Sequence, residues 1–159
     1  MANLKTNAMR LLEKAKTSYK IHTYENKDGQ IDGISVAEKI GLPVEKVYKT
    51  LVTQGHSKEY YVFVIPVAEE LDLKAAAKAV GDKSVAMIHV ADINKVTGYI
   101  RGGCSPIGMK KNLKTVIDSS CNNIDTIIVS AGKIGYQIEL NPSDLLKLIS
   151  GKVEDIIMR

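Results

Sequence analysis

The chain has no tryptophan, one phenylalanine, four prolines and two cysteines in its 159 residues, and none of its apolar runs approaches the roughly 18 residues needed to cross a bilayer. Each shortage removes a class of explanation. Cys104 and Cys121 lie far apart, with no Cys-x-x-Cys and no histidine cluster near either. That excludes a disulfide framework and a zinc site of ordinary spacing, so reduced thiols and no metal are expected. The start, Met1-Ala-Asn-Leu-Lys-Thr6, lacks a basic segment followed by an apolar one, so neither a signal peptide nor a membrane span is indicated and a cytoplasmic protein is expected. Arginine is also scarce: of 22 basic residues only Arg10, Arg101 and Arg159 are arginines, against 18 acidic ones, for a net charge of +4. Such a balance suits a polyanionic partner and equally suits a solvated lysine surface. The 45% hydrophobic content lies in one composition regime without repeats, as expected for a single domain over residues 1–159 with its own core.

Periodicity supplies the elements. Leu4, Ala8, Leu11, Leu12 and Ala15 share one helical face, with Asn3 as the expected N-cap. Tyr19 to Tyr24 alternates as a half-buried strand does. Ser35 and Glu38 form a capping box for a short helix that ends at Gly41, and Val47 to Thr53 is β-branched and strand-like. Tyr60 to Ile65 is almost continuously apolar, which predicts a strand buried on both faces. Asp72 caps a helix carrying Leu73, Ala76, Ala77 and Val80 and stopped by Gly81. Val85 to His89 is a short strand and Ala91 to Val96 a short helix. Leu113 to Ile117, Thr126 to Val129 and Tyr136 to Leu140 complete the strands, before a helix opened by Asn141 and Pro142 and stopped by Gly151. The turns near Gly55 and after Ser130 are too short for a parallel crossover, so some pairs must be antiparallel. The fold class expected is a mixed-sheet α/β or α+β domain.

Two stretches stand apart. Gly98-Tyr-Ile-Arg-Gly-Gly-Cys-Ser-Pro-Ile-Gly108 packs four glycines and a proline into one apolar loop, so its amides either form a nest for an oxygen atom or serve a structural turn. It is no P-loop, because Met109 stands where the lysine is required, and it lacks Gly-x-Gly-x-x-Gly. Lys49 shares a strand face with Val47 and Leu51, while Tyr48, Thr50 and Val52 form the other. If the first face is buried, Lys49 meets an anion or loses its proton more easily; if the second is, it lies in water. Lys110, Lys111 and Lys114 follow the loop as either a funnel for a phosphate backbone or a solvated face. Cys104 reads as a packing residue, since no His or Asp is near it in sequence. No triad or carboxylate pair at a recognisable spacing is present, and no cofactor is expected.

Val47-Tyr-Lys-Thr-Leu51, Gly98 to Lys111 and Val129-Ser-Ala-Gly-Lys-Ile-Gly135 together resemble, in order and spacing, the motifs of the YbaK/EbsC family of aminoacyl-tRNA editing proteins, and the similarity covers nearly the whole chain. The branch most similar is that of the free-standing Cys-tRNA(Pro) deacylases. The resemblance implies a curved, barrel-like central sheet flanked by helices. It implies an enzyme without cofactor that removes cysteine mischarged onto tRNA(Pro), with prolyl-tRNA synthetase as a partner. Such editing answers a physical limit, because a size difference of one small group is worth only about 1–3 kcal/mol in a binding pocket.

The same resemblance implies that Lys49 is the essential residue and that the substrate's own thiol attacks its ester. Lys49 would hold the terminal phosphate or the carbonyl. Amides around Gly102, Gly103 and Ser105, with Pro106 beside them and Ser130 and Gly132 opposite, would face the ester. Tyr19, Thr50 and Gln137 would line the pocket, and Lys110, Lys111 and Lys114 would meet tRNA. Ile134 and Gln137 depart from the arginine and the acid usual in the family, which changes the charge at one edge. The rival readings are an Ala-tRNA(Pro) or broader aminoacyl-tRNA deacylase, against which Thr50 and Ser130-Ala-Gly132 argue, and a non-catalytic module that binds tRNA or a synthetase.

Overall fold

A computed structural model describes residues 5–158, in which five α-helices and eight strands follow one another as α1 (Asn7–Lys14), β1 (Lys20–Thr23), α2 (Gly33–Ile40), β2 (Tyr48–Gly55), β3 (Tyr60–Pro66), α3 (Leu73–Val80), β4 (Val85–Met87), α4 (Ile93–Thr97), β5 (Lys114–Asp118), β6 (Ile127–Ser130), β7 (Tyr136–Leu140), α5 (Pro142–Ile149) and β8 (Lys152–Glu154). The strands form a three-stranded sheet, β1-β7-β6, and a five-stranded sheet, β4-β2-β3-β5-β8. Both short turns join antiparallel strands, β2 to β3 and β6 to β7, whereas β5 lies parallel to β3 and β8 parallel to β5. The class is the mixed α+β expected, but the sheet does not close into a barrel: β1 and β6 end one sheet, β4 and β8 the other, and a single parallel bridge, Val47 to Ile128, stitches the two.

Strand β3 explains how the layers stack. Val62 and Val64 enter a core with Met9 and Leu12 of α1, Ile117 of β5 and Leu145 of α5. Phe63 and Ile65 point the other way, against Ala76, Ala77 and Val80 of α3. Period-2 alternation with both faces covered is why the run is continuously apolar. A third, smaller group, Ala37, Val47, Val67 and Ile128, packs α2 against the bridge between the sheets.

Several boundaries differ from the sequence reading. Thr6 caps α1, accepting from the Met9 N–H; the expected cap Asn3, with Leu4, lies outside the described residues. Asp32 caps α2, its carboxylate accepting from both the N–H and the hydroxyl of Ser35, so Ser35 is the capped residue and the Ser35/Glu38 box is not formed. Ser35 lies inside the helix that begins at Gly33, so its hydroxyl donates to Asp32 instead of accepting from the Glu38 N–H. α5 ends on Ser150 at φ 52° rather than on the adjacent Gly151, and β8 follows, a short strand that periodicity missed. In α3 Leu73 is exposed while Ala76, Ala77 and Val80 carry the packing. The Asp72 cap and the left-handed Gly81 stand as expected.

Candidate active site

Pairing between β2 and β6 does not continue past the Val47–Ile128 bridge, and the crevice that opens there is the candidate site. It encloses about 170 Å³. That is less than the roughly 300–1,000 Å³ of a pocket that swallows a whole small molecule, so it suits the end of a larger one. Val47, Tyr48, Lys49 and Thr50 of β2 form one side, and Ser130 of β6 with Gln137 of β7 the other. The start of α2, from Ile31 to Val36, and the glycine loop, through Arg101, Gly102 and Cys104, close the ends.

Neither of the two orientations open for Lys49 describes it fully. Tyr48 and Val52 are buried on one face, while Val47 and Thr53 are buried on the other, so β2 is covered on both sides and Lys49 emerges half-buried where the cover is interrupted. It makes no hydrogen bond or ion pair with any described residue. Burial holds its pKa below the ordinary lysine value, against the opposing pull of Glu70 and Glu69. A cation so placed gains from any anion that enters, because charges attract more strongly where water is scarce.

Across the crevice, register sets Ser130, Gln137 and His22 in one row over β6, β7 and β1. Residues directly opposite one another share a face. His22 is drawn aside by Glu139, 2.8 Å from its Nε2, and takes no part in the cleft. Gln137 is 6% exposed, its amide without a hydrogen-bond partner among the described residues. The Ser130 hydroxyl accepts from the Gly132 N–H and so has its own proton left to donate.

The glycine loop is held rigidly. Tyr99 Oη donates to the Ile107 carbonyl at 2.6 Å, and the Gly103 N–H donates to the Ile100 carbonyl at 3.0 Å. A Cβ on Gly103 would lie 3.0 Å from the Ile134 nitrogen, so two backbones touch here. Gly102, at φ +83°, needs the left-handed region and has Ile31 where a side chain would be. Burial pushes the Cys104 thiol up to about 11, against a weak hydrogen bond to Thr97. It is therefore a thiol at neutral pH, unsuited to attack.

The crevice thus brings together Lys49, Thr50, Gly102, Ser130 and Gln137, and leaves other candidates outside it. Tyr19 is not a lining residue. Its hydroxyl donates to Glu13 at 2.8 Å, and its ring packs beside the α1 core. Burial, with that hydrogen bond, pushes its pKa to about 12. Ser105 is fully buried with its hydroxyl accepting from the Ile107 N–H. Pro106 and Lys111 border a separate hollow beside Leu11 and Leu148. The amides of Gly103 and Gly132 are already engaged, by Ile100 and by Ser130. Lys110 donates to the Lys95 carbonyl. Lys114 donates to the Val80 carbonyl and pairs with Tyr61, four residues along β3 from Ile65, the partner of Lys49. At about 3.3 Å per residue it lies far down the sheet from the cleft. Sequence reasoning missed Ile31, Asp32, Val36 and Arg101; only Arg101, an arginine among lysines inside the glycine loop, carried a signal that could have exposed it.

A family model described as aminoacyl-tRNA editing domain matches residues 32–148. EbsC of Enterococcus faecalis, named as a candidate Cys-tRNA(Pro)/Cys-tRNA(Cys) deacylase, is 47% identical over 152 residues, covering 96% of this chain and 93% of that protein. A proline–tRNA ligase of Fervidobacterium nodosum is 28% identical over 124 residues, covering 78% of this chain and only 21% of the ligase. Among solved structures, one described as a candidate trans-editing enzyme for prolyl-tRNA synthetase has a TM-score of 0.83 at 22% identity, covering 99% of this chain and 100% of that one, which establishes likeness of fold.

Proposed function

Since the chain belongs to the aminoacyl-tRNA editing domain family, we propose that it is a trans-acting deacylase, working in the cytoplasm, that removes cysteine from mischarged tRNA(Pro). The observation that carries this reading is the half-buried Lys49, unpartnered among the described residues, in a crevice sized for an aminoacyl group where Cys104 is held as a thiol and the hydroxyl of Ser130 hydrogen-bonds no base among the described residues. The nucleophile then comes from the substrate. The cysteinyl sulfur forms a bond to its own ester carbonyl carbon, closing a four-membered thiolactone. The bond from that carbon to the ribose oxygen breaks, and the thiol proton ends on the ribose oxygen. The tRNA leaves with a free hydroxyl, and water opens the thiolactone afterwards.

In this scheme Lys49 meets the terminal phosphate or the negative charge that builds on the carbonyl oxygen. Ser130 donates to the same end of the ester, and the unengaged amides of Gly102 and Cys104 face it from the loop. The neutral Gln137 amide receives the α-amino group, placing no further charge next to Lys49 and Arg101. The covering of this chain by a part of proline–tRNA ligase supports prolyl-tRNA synthetase as the partner whose errors it corrects. Measuring deacylation of Cys-, Ser- and Ala-tRNA(Pro) tests the chemistry. Only the first has a thiol in place; equal rates on all three would end the substrate-thiol reading, and no turnover of any would end the deacylase reading.

A further inference from the structure

Arg101 is the cation of the crevice that the scheme above leaves without work. It lines the cleft mouth, is exposed, and makes no hydrogen bond or ion pair with any described residue. The carboxylate that lines the same cleft, Asp32, is hydrogen-bonded to Ser35 through both oxygens and makes no ion pair with the guanidinium. Five N–H donors in a planar fork are therefore free. Their base is fixed: the Gly103 N–H bonded to Ile100, the Tyr99 hydroxyl bonded to Ile107 and the close approach of Gly103 to Ile134 hold the loop on either side of Arg101. The lysines that follow the loop do not supply this charge, since Lys110 and Lys114 reach backbone carbonyls elsewhere and Lys111 borders a different hollow.

The substrate's own geometry says what meets such a group. With the aminoacyl end in a crevice of about 170 Å³, the ribose must stand at the mouth. One sugar ring away from the ester is the phosphodiester that joins the terminal adenosine to the chain. Resting on the deacylase reading, we propose that Arg101 binds that phosphodiester as a bidentate clamp, leaving Lys49 to the carbonyl. Arginine suits this better than lysine because its fork matches two phosphate oxygens at once. The contact makes Arg101 a determinant of substrate class: it favours esters carried by a polynucleotide over the same ester on a free nucleoside.

The test compares the cysteinyl ester of adenosine, which has no phosphate, with that of the dinucleotide cytidylyl-adenosine, which has one, alongside Cys-tRNA(Pro). The wild type should prefer the dinucleotide ester by about tenfold in kcat/KM, a ratio worth 1.4 kcal/mol. Arg101→Ala should collapse that ratio, Arg101→Lys should keep part of it, and Arg10→Ala, on the exposed side of α1, should keep it whole. On Cys-tRNA(Pro) the salt dependence of kcat/KM should flatten in Arg101→Ala by about 0.7 in log–log slope, as for one single-strand phosphate contact. An unchanged ratio and slope would overturn the proposal, as would a loss equal on both esters, which would put the guanidinium on the base or the ester. Failure of the wild type to deacylate Cys-tRNA(Pro) would instead remove the reading on which the proposal rests.

Discussion

Two threonines on β2 should respond in opposite directions to the same substitution. Thr50 Oγ1 is sealed from solvent and has no hydrogen-bond partner among the described residues, whereas Thr53 Oγ1, fully buried three residues on, donates to the Tyr61 carbonyl at 3.1 Å. A buried polar atom left unpaired costs about 1–3 kcal/mol, while a satisfied hydrogen bond contributes about 0.5–1.5 kcal/mol net. Valine has the shape of threonine and an equal liking for strands, so Thr50→Val should stabilise the protein by about 1 kcal/mol or more and Thr53→Val should destabilise it by about 1 kcal/mol. For a chain of this size each kcal/mol moves Tm by roughly 2–4 °C. Thermal unfolding followed by circular dichroism should therefore place the two variants on opposite sides of the wild type, about 4–8 °C apart. A Thr50→Val protein that melts below the wild type would refute the reasoning, since it would mean that the hydroxyl is satisfied after all.

Replacing Lys49 by Met should raise Tm at neutral pH, because the charge is partly desolvated in the folded state. The folded pKa lies below the unfolded one, so the lysine penalises folding while it is protonated in both states, and the gain should shrink as pH rises through the folded value toward the ordinary lysine range near 10.4. A gain that grows with pH would contradict the sign. Asp32→Ala removes the α2 cap and should cost about 1 kcal/mol in denaturant unfolding, with Asp32→Ser recovering most of it; an unaffected midpoint would show that the Ser35 contacts contribute nothing.

How far the amino-acid order revealed this site depended on whether periodicity or a turn was involved. The almost unbroken apolar run Tyr60–Ile65 exposed a strand with two covered faces, and the Asp72 and Gly81 caps bounded α3. Lys49 stood out because a charge interrupted an apolar pattern, but its half-burial depends on where β6 parts from β2, a tertiary fact. Loop residues carry no period. Ile31 and Asp32 reach the cleft only because α2 folds against Val67, whose side chain lies where Gly33 would carry a Cβ. The resemblance implies pocket roles for the Ser105 amide and for Tyr19, yet the Ser105 side chain is buried and the Tyr19 hydroxyl is tied to Glu13. A cap pattern misled at Ser35 because the helix begins earlier, with Asp32 as its cap.

The proposed reaction requires Lys49 to act upon an ester cleaved by the substrate's own thiol. Single-turnover deacylation of Cys-tRNA(Pro) by wild type and by Lys49→Ala tests it most directly, with folding of the variant checked by Tm. Loss of one preorganised charge at the developing oxyanion should lower the rate by about 10²–10³-fold. A Lys49→Ala protein that is folded and deacylates Cys-tRNA(Pro) at the wild-type rate would contradict it.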